Sequence, residues 1–428
     1  MGTPTQAVLI RQDGTEETIR PLTDADWRAA WSPDGDGLLD LRYDYGPERL
    51  PGDIWRGDGM WRYRALLPVG DGPIVYPLPV GATPLIGPPG LRSAVGLPNL
   101  WLKDETRGPS ASNKDRATAL VLQLAMISGA RRVSCASTGN VAVSLAIGAA
   151  AAGLEAVTFV AADVADSKLG LMLEAGATVI KVRGGYEAAF HLSRAAAREF
   201  GWVDRNTGVN PATVDAKKTV ALEIWEQLGR EVPDVVVVPV GDGPTLNGIA
   251  KGFREIIACG GADRMPRLVG VQAEGCQPIK RAWERDEPIE PTEAATLADG
   301  IAVGRPISGT AAIRDVKATG GAFVAVTDND MLDAMQLLAT RGGILAEPAA
   351  AASLAGLRVA LDDGRIAANE RVVALITGSS LKTPQLLRRH ANMVEISADL
   401  ESLARSIGLN QPPGNLPEPK QTERDEPH

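Results

Sequence analysis

The sequence has few cysteines, few aromatic residues and no excess of positive charge, and each shortage excludes a class of protein. Its three cysteines, Cys135, Cys259 and Cys276, are widely spaced and form no CxxC pair, so neither a zinc site nor a disulfide framework is expected. Aromatic residues make up only 4% of the 428 residues, whereas Ala, Gly and Val are abundant, which favours helices packed closely on a parallel sheet. The formal net charge of −9 makes nucleic acid an unfavourable partner.

Long hydrophobic runs are also missing. The opening segment, MGTPTQAVLIRQDG, contains no apolar stretch of the signal-peptide type. The most apolar run, from Val141 to Val160, is interrupted by Gly148, Gly153 and Glu155, which indicates a buried helix followed by a strand rather than a membrane span. We therefore expect a cytoplasmic protein that does not bind a membrane.

The chain is too long for a single hydrophobic core, so more than one packed unit is expected. An N-terminal extension contains short strand-like pieces, AVLI and LLDLRYDY. From about Leu100, strand-like and helix-like segments alternate, which predicts a parallel, doubly wound sheet. The predicted helices include 114–130, 141–152, 217–228 and 247–258, and the continuous apolar segment VVVVPV indicates a strand that is covered on both faces.

Two segments where a predicted strand or loop meets a helix carry groups suited to catalysis. Lys114 lies at a helix start, where the positive helix end would lower the pKa of its amine and favour a nucleophile, although a lone lysine is usually just solvated. The turn Ser137-Thr138-Gly139-Asn140 opens another helix and offers N–H groups and hydroxyls to an anion such as a carboxylate. An ordinary N-cap turn explains it equally well.

Three further segments are ambiguous when each is taken alone. A glycine-rich turn, GDGPTLNG, follows VVVVPV, and its amides could reach a phosphate, although a tight turn is an equal explanation. It matches neither the GKS/T loop nor GxGxxG, which counts against ATP and NAD. Glu347 precedes a proline at a predicted helix start, and Thr377 begins a TGSS turn after VVALI. Capping of the following helix is a simpler explanation for both residues than a role in catalysis or cofactor binding.

The order and spacing of these segments resemble fold-type-II pyridoxal-phosphate (PLP) enzymes, and over roughly residues 35–390 the sequence is similar to threonine synthases. The matching segments include LWLKDET, NKDRA, NPATVDAKKTVALEIWEQLG, VPDVVVVPVGDGPTLNGIAKGF and TGSSLK. The Lys-Asp-Arg sequence at 114–116 favours threonine synthases over threonine dehydratases.

The resemblance implies two doubly wound parallel-sheet domains with the cofactor in the cleft between them. We expect an N-terminal extension (1–76), a large PLP-binding domain (77–110 and 205–410), a small α/β domain (111–204) and a disordered tail (411–428).

The resemblance also implies roles for individual residues. Lys114 is expected to carry PLP as a Schiff base and to be the catalytic residue. Asn140 would hydrogen-bond the ring oxygen, and the neutral hydroxyl of Thr377 would face the pyridine nitrogen, which suits elimination and replacement better than transamination. The cofactor phosphate is expected along the glycine-rich turn, at Gly241, Asp242, Gly243, Pro244, Thr245 and Leu246. Substrate contacts are expected from Ser137 and Thr138 at the carboxylate, and from Asn113, Asn210 and Thr213.

The reaction implied by the resemblance converts O-phospho-L-homoserine and water to threonine and phosphate, in a homodimer. Three pocket positions depart from the usual pattern: Asn113 replaces a common Phe, Val141 replaces Thr, and Thr213 lies where many members have a cationic or polar residue for the substrate phosphate. The cysteine pairs with which many relatives begin are also missing. Because the pocket changes leave the cofactor residues intact, they suggest a shift to another substrate, such as one with an uncharged leaving group.

Two alternatives therefore stay open. One is a related PLP enzyme, either an amino-acid ammonia-lyase or a β-replacing synthase acting on a serine- or threonine-like substrate. The other is a PLP-binding protein that no longer catalyses, although the presence of Lys114, Asn140 and Thr377 argues against it.

Overall fold

The computed structural model describes residues 4–11, 15–20, 37–53, 59–162, 164, 166–387 and 393–408. Its strands are, in chain order, β1 (Gln6–Arg11), β2 (Glu16–Arg20), β3 (Gly37–Arg42), β4 (Leu85–Ile86), β5 (Leu100–Asp104), β6 (Arg132–Ala136), β7 (Glu155–Ala161), β8 (Thr178–Val182), β9 (Val203–Asp204), β10 (Val235–Pro239), β11 (Arg267–Ala273), β12 (Ala322–Val326) and β13 (Val372–Ile376). Its α-helices are α1 (Pro89–Val95), α2 (Lys114–Ile127), α3 (Asn140–Ala152), α4 (Asp166–Glu174), α5 (Gly185–Glu199), α6 (Ala212–Gln227), α7 (Pro244–Ala258), α8 (Pro278–Arg285), α9 (Gly309–Ala318), α10 (Asp328–Leu337), α11 (Pro348–Asp362) and α12 (Leu400–Ser406).

The larger sheet has the strand order β12-β11-β10-β13-β5-β4. Its strands pair in parallel, except that β4 runs antiparallel to β5. In the central strand β10, Val235 and Val237 pack into a core shared with α10 and α11, whereas Val236 and Val238 pack against α6, α7 and α9. Both faces are therefore covered by helices, which explains why this strand is apolar at every position.

The smaller sheet has the strand order β8-β7-β6-β9, and all of its pairings are parallel. Its apolar residues form a separate core with α2, α3 and α4, in which Val133, Leu120 and Leu145 are completely buried. Together the two sheets confirm the predicted α/β class with parallel sheets. The predicted domain boundaries remain a prediction, as does the homodimer.

The N-terminal extension contains an antiparallel sheet of order β2-β1-β3, in which both outer strands pair with β1. The strands predicted from AVLI and LLDLRYDY are thus present. Polar contacts join this sheet to α6 and α7: the Lys251 Nζ donates to Asp40 Oδ1 at 2.6 Å, and the Tyr43 hydroxyl donates to Asp215. The extension is therefore tied to the two helices that follow the small-sheet region.

Residues from Leu387 onwards form a second unit. Its described part contains α12, whose first turn is capped by the Asp399 side chain accepting from the Ser402 N–H at 2.7 Å. The predicted disordered tail, residues 411–428, lies outside the described residues. In the described part of the chain, no helix is both long and apolar enough to cross a membrane.

Helix α6 begins at Ala212, five residues before the predicted start at Lys217. The predicted start was wrong: Pro211 immediately precedes the helix, and proline is well tolerated at a helix start, where its missing N–H would have no partner. Helix α7 likewise begins at Pro244 rather than Asn247. The earlier start places Thr213 and Lys217 on the same helix, one turn apart.

A buried network of charges fixes the start of α2. The Arg116 guanidinium donates to Glu105 Oε2 and to Glu223 Oε1, each at 2.7 Å. Lys103 Nζ donates to the other Glu223 oxygen at 2.6 Å, and the Thr83 hydroxyl donates to Glu105 at 2.5 Å. Because neighbouring cations stabilise the carboxylate against the effect of burial, the pKa of Glu223 lies below its ordinary value.

Replacing Glu223 by Gln should lower the free energy of unfolding by about 3–5 kcal/mol, because it leaves buried cations without their counter-charge. The matched control is Glu284→Gln, which removes a carboxylate from the pair with Lys280 at the surface and should change stability by less than about 1 kcal/mol. Denaturant unfolding measures both. Equal losses in the two variants would contradict a structural role for the network.

Candidate active site

Lys114 lies at the first position of α2, between residues from two other parts of the chain. Its Nζ donates to Asn113 Oδ1 at 3.0 Å, and the Asn113 side-chain amide faces the Thr245 hydroxyl at 3.3 Å. The backbone N–H of Asn113 donates to the Thr377 carbonyl at 2.8 Å, just after β13. The structure therefore brings together four of the predicted site residues, Asn113, Lys114, Thr245 and Thr377.

Asp115 holds the loop that leads into Lys114. It accepts hydrogen bonds from the Ser110 N–H at 2.9 Å, from the Ser110 hydroxyl at 2.6 Å and from the Ser144 hydroxyl of α3 at 2.8 Å. Sequence reasoning missed this role. Arg116 is bound to Glu105 and Glu223, so both residues that follow Lys114 are fixed by buried contacts and the start of α2 has little freedom.

Burial lowers the pKa of the Lys114 amine to about 8. Glu347 acts in the opposite direction, and Arg205 lowers the pKa further by like-charge repulsion. Arg205 also approaches the start of α2 directly, because its guanidinium donates to the Lys114 carbonyl at 3.2 Å. An amine with this pKa is partly unprotonated near neutral pH and can act as a nucleophile and a base.

The predicted anion-binding turn, residues 137–140, connects β6 to α3. The Gly139 N–H donates to Ser137 Oγ at 3.1 Å, and the Asn140 side-chain amide donates to Glu347 Oε1 at 2.6 Å. Among the residues that the structure describes, Asn140 Oδ1 and Glu347 Oε2 are buried without a hydrogen-bond partner. Glu347 does precede α11, as expected, but no pattern in the sequence indicates that it also contacts Asn140.

Two charged residues missed by sequence reasoning lie beside this turn. Lys168 of α4 forms an ion pair with Asp299. A Cβ built on Gly139 would lie 3.7 Å from Asp299 Oδ2 and 3.9 Å from Lys168 Nζ. No motif surrounds either residue in the sequence, so no signal there could have identified them.

The glycine-rich turn between β10 and α7 is shaped by close backbone contacts. Gly243 has a φ of 104°, and a Cβ at this position would lie 2.8 Å from the Ser308 carbonyl oxygen. Asp242 Oδ1 accepts from the Ile307 N–H at 2.6 Å, and burial raises the pKa of Asp242 to about 6. The buried hydroxyl of Ser308 has no partner among the described residues, and sequence reasoning missed it as a candidate anion ligand.

Asn210 and Thr213, both predicted to contact the substrate, make hydrogen bonds at the start of α6. Asn210 Oδ1 accepts from the Ala212 N–H at 3.0 Å, and its amide donates to the Asp204 carbonyl at 2.8 Å. The hydroxyl of Thr213, a fully buried residue, donates to the Asn210 carbonyl at 2.7 Å. Their predicted role in substrate binding therefore receives no support from these contacts and stays a prediction. Val141 packs against the apolar core of the small sheet.

These residues fit a phosphorylated aldehyde cofactor. Lys114 provides an amine of lowered pKa, and the glycine-rich turn presents backbone N–H groups at the start of α7. The Asn140 Oδ1 and Ser308 Oγ atoms, which have no partner among the described residues, add polar groups that the protein itself does not satisfy. A buried polar atom without a partner is unfavourable, so a bound group that pairs with these two atoms would remove that cost.

Comparison with known proteins decides the family. Residues 76–378 match the model of the family described as "Pyridoxal-phosphate dependent enzyme". The threonine synthase of Methanocaldococcus jannaschii is 36% identical, over 87% of this chain and 93% of the relative. That of Methanosarcina acetivorans is 38% identical, over 82% of this chain and 87% of the relative.

The chain belongs to the threonine synthase family of pyridoxal-phosphate dependent enzymes. This confirms the predicted family, the PLP cofactor and the lyase class. Solved structures that resemble this family member include maize serine racemase, with a TM-score of 0.60 and 20% identity over 76% of this chain and 91% of that chain. A fungal L-serine ammonia-lyase from Rhizomucor miehei has a TM-score of 0.61 and 23% identity over 70% of this chain and 93% of that chain. These likenesses concern the fold.

The pH dependence of cofactor binding should report the lowered pKa of Lys114. Only the unprotonated amine can react with the aldehyde, so the rate at which the apoenzyme binds PLP covalently should rise with pH, with a midpoint near pH 8 rather than at the ordinary lysine value. Stopped-flow absorbance measures this rate. Lys114→Ala should form no covalent adduct that borohydride can trap, and a midpoint above pH 10 would contradict the effect of burial.

Proposed function

We propose that this enzyme is a threonine synthase that converts O-phospho-L-homoserine and water to threonine and phosphate, and that the roles of its site residues are those expected from the sequence. The observation that carries the proposal is the position of Lys114. Its amine, whose pKa is lowered, lies at the start of α2 and donates a hydrogen bond to Asn113. The Asn113 side-chain amide in turn donates to the hydroxyl of Thr245, at the start of α7. Similarity to threonine synthases over nearly the whole chain supports the same function.

Pyridoxal phosphate, when bound, supplies an electron sink that makes the substrate Cα proton acidic. The remaining chemistry falls to the protein. We assign to Lys114 Nζ the removal of the Cα proton and the subsequent transfer of protons to and from Cβ. Phosphate leaves from Cγ, which ends as a methyl group after gaining a proton, and water adds at Cβ. One amine can transfer protons at several neighbouring carbons, because a group held close to all of them needs no separate encounter for each step.

The turn between β6 and α3 is suited to hold the substrate carboxylate. Ser137, Thr138 and Gly139 precede the 13-residue helix α3, whose N-terminal end favours negative charge. The ion pair of Lys168 with Asp299 lies beside Gly139 and adds a buried cation to this side of the site. We assign Asn140 to the ring oxygen of the cofactor and Thr377 to its pyridine nitrogen, as neutral partners that leave the ring a moderate electron sink.

Product analysis with O-phospho-L-homoserine tests this function. Incubation of the purified holoenzyme should yield threonine and phosphate in a 1:1 ratio, measured by chromatography and a phosphate assay. Lys114→Ala should yield neither product and serves as the control. Formation of 2-oxobutyrate and ammonia from threonine, with no reaction of phosphohomoserine, would instead assign the enzyme as an ammonia-lyase. No turnover of any amino acid by the covalently loaded protein would support a non-catalytic role.

A further inference from the structure

Lys217 carries a buried amine that has no hydrogen-bond partner among the described residues. It lies on α6 with 1% of its surface exposed. A buried ammonium group is strongly unfavourable unless an anion or an acceptor compensates for the lost water.

The adjacent residue on this helix, Lys218, differs from Lys217 in that its buried amine is paired with carboxylates. It is also fully buried, but its Nζ lies 2.8 Å from Glu255 Oε2 and 3.4 Å from Asp215 Oδ2. The two side chains point in different directions around α6, because successive residues on a helix face different sides. Lys218 therefore faces Asp215 and Glu255, on the side of α6 that contacts the N-terminal sheet. Lys217 faces a different side of the helix, with different charged residues around it.

That environment is the active site. The charges that act on Lys217 are those of Lys114 and Arg205, which repel it, and of Asp242, which attracts it. Burial is the largest influence, and together with the two cations it holds the pKa of Lys217 well below its ordinary value. Two cations and one carboxylate thus act on Lys217, and an anion bound beside its amine would offset the repulsion from the two cations.

The packing of α6 against α7 explains where the amine points. A Cβ on Gly248 would lie 2.7 Å from Lys217 Cβ, and a Cβ on Gly252 would lie 2.7 Å from Ala221 Cβ, so the helices run side by side in the same general direction. Long helical side chains lean towards the N-terminal end of their helix. The Lys217 side chain therefore extends towards the end of α7 that carries the glycine-rich turn and Asp242.

We propose that Lys217 binds a phosphate dianion in the active site and provides the cationic group that Thr213, one helical turn earlier, does not. Two phosphate monoesters meet in this site, that of the cofactor and that of the substrate, and both have the chemistry that a buried lysine amine and helix N–H groups recognise. The part of the inference that concerns the substrate rests on the proposed function. The part that concerns the cofactor does not.

The first test measures the affinity of inorganic phosphate for the holoenzyme by calorimetry. Lys217→Met keeps the length of the side chain but removes its charge, and it should weaken phosphate binding at least about tenfold if the amine binds the substrate phosphate. Lys217→Arg should recover most of the affinity. The control is Lys280→Met, which removes a lysine that pairs with Glu284 away from the site and should leave the affinity unchanged.

The second test distinguishes the two sources of phosphate by titrating the apoenzyme with pyridoxal 5'-phosphate and with pyridoxal. If Lys217 binds the cofactor phosphate, Lys217→Met should lose affinity for the phosphorylated cofactor but not for pyridoxal. If it binds the substrate phosphate, both cofactor affinities should stay unchanged, while holoenzyme affinity for inorganic phosphate falls. No change in any of these affinities would overturn the inference, even in an enzyme that makes threonine. Loss of phosphate affinity in an enzyme that makes no threonine would support Lys217 and contradict the proposed function.

Thermal unfolding separates phosphate binding from a structural role. Lys217→Met should raise the Tm of the apoenzyme, because it removes a buried polar amine without a partner. Phosphate should stabilise the wild type more than the variant. Lys218→Met should lower the Tm, because it removes one of the two lysines, with Lys251, that pair with the buried carboxylates of Glu255 and Asp215. A lower Tm for apo Lys217→Met would show that the amine has a partner within the protein and would overturn the inference.

Discussion

Arg116 lies between Glu105 and Glu223, bonded to both carboxylates, and is almost completely buried. These three residues come from the loop after β5, the start of α2 and the middle of α6, so one guanidinium holds together the strand and both helices that bound the site. Bidentate contacts between a guanidinium and carboxylates are geometrically specific, and breaking them would leave buried charges uncompensated. The position of Lys114, two residues before Arg116, depends on this arrangement.

The site groups gather at the carboxyl ends of parallel strands. The turn that begins at Ser137 follows β6, the turn that begins at Gly241 follows β10, and Thr377 follows β13. The strand β6 belongs to the smaller sheet, whereas β10 and β13 belong to the larger. In each open α/β sheet, the loops after the carboxyl ends of the parallel strands are the usual place for a ligand. The N-terminal ends of α3 and α7 lie in the same loops, so two positive helix ends favour anionic groups there.

Several polar atoms of the site are buried without a protein partner, as are others elsewhere in the described interior. Lys218, outside the site, is a buried charge that is paired with Glu255. Asn140 Oδ1, Glu347 Oε2, Ser308 Oγ and Lys217 Nζ have no such partners among the described residues. A ligand that pairs with polar groups already fixed in place by the fold requires little reorganisation when it binds.

The sequence alone determined the α/β class, because alternating strand-like and helix-like segments and apolar strands such as VVVVPV are local patterns. Its resemblance to threonine synthases implied the PLP cofactor and Lys114 as the amine that carries it. Only the tertiary structure showed that Asp115 holds the loop before Lys114, that Glu347 contacts Asn140, 207 residues away in the chain, and that Ser308 lies beside the glycine-rich turn. In the sequence, Lys217 and Lys218 are two equivalent lysines. Packing alone gives one of them carboxylate partners and turns the other towards the site, because a charge's environment depends on residues that only folding brings near it.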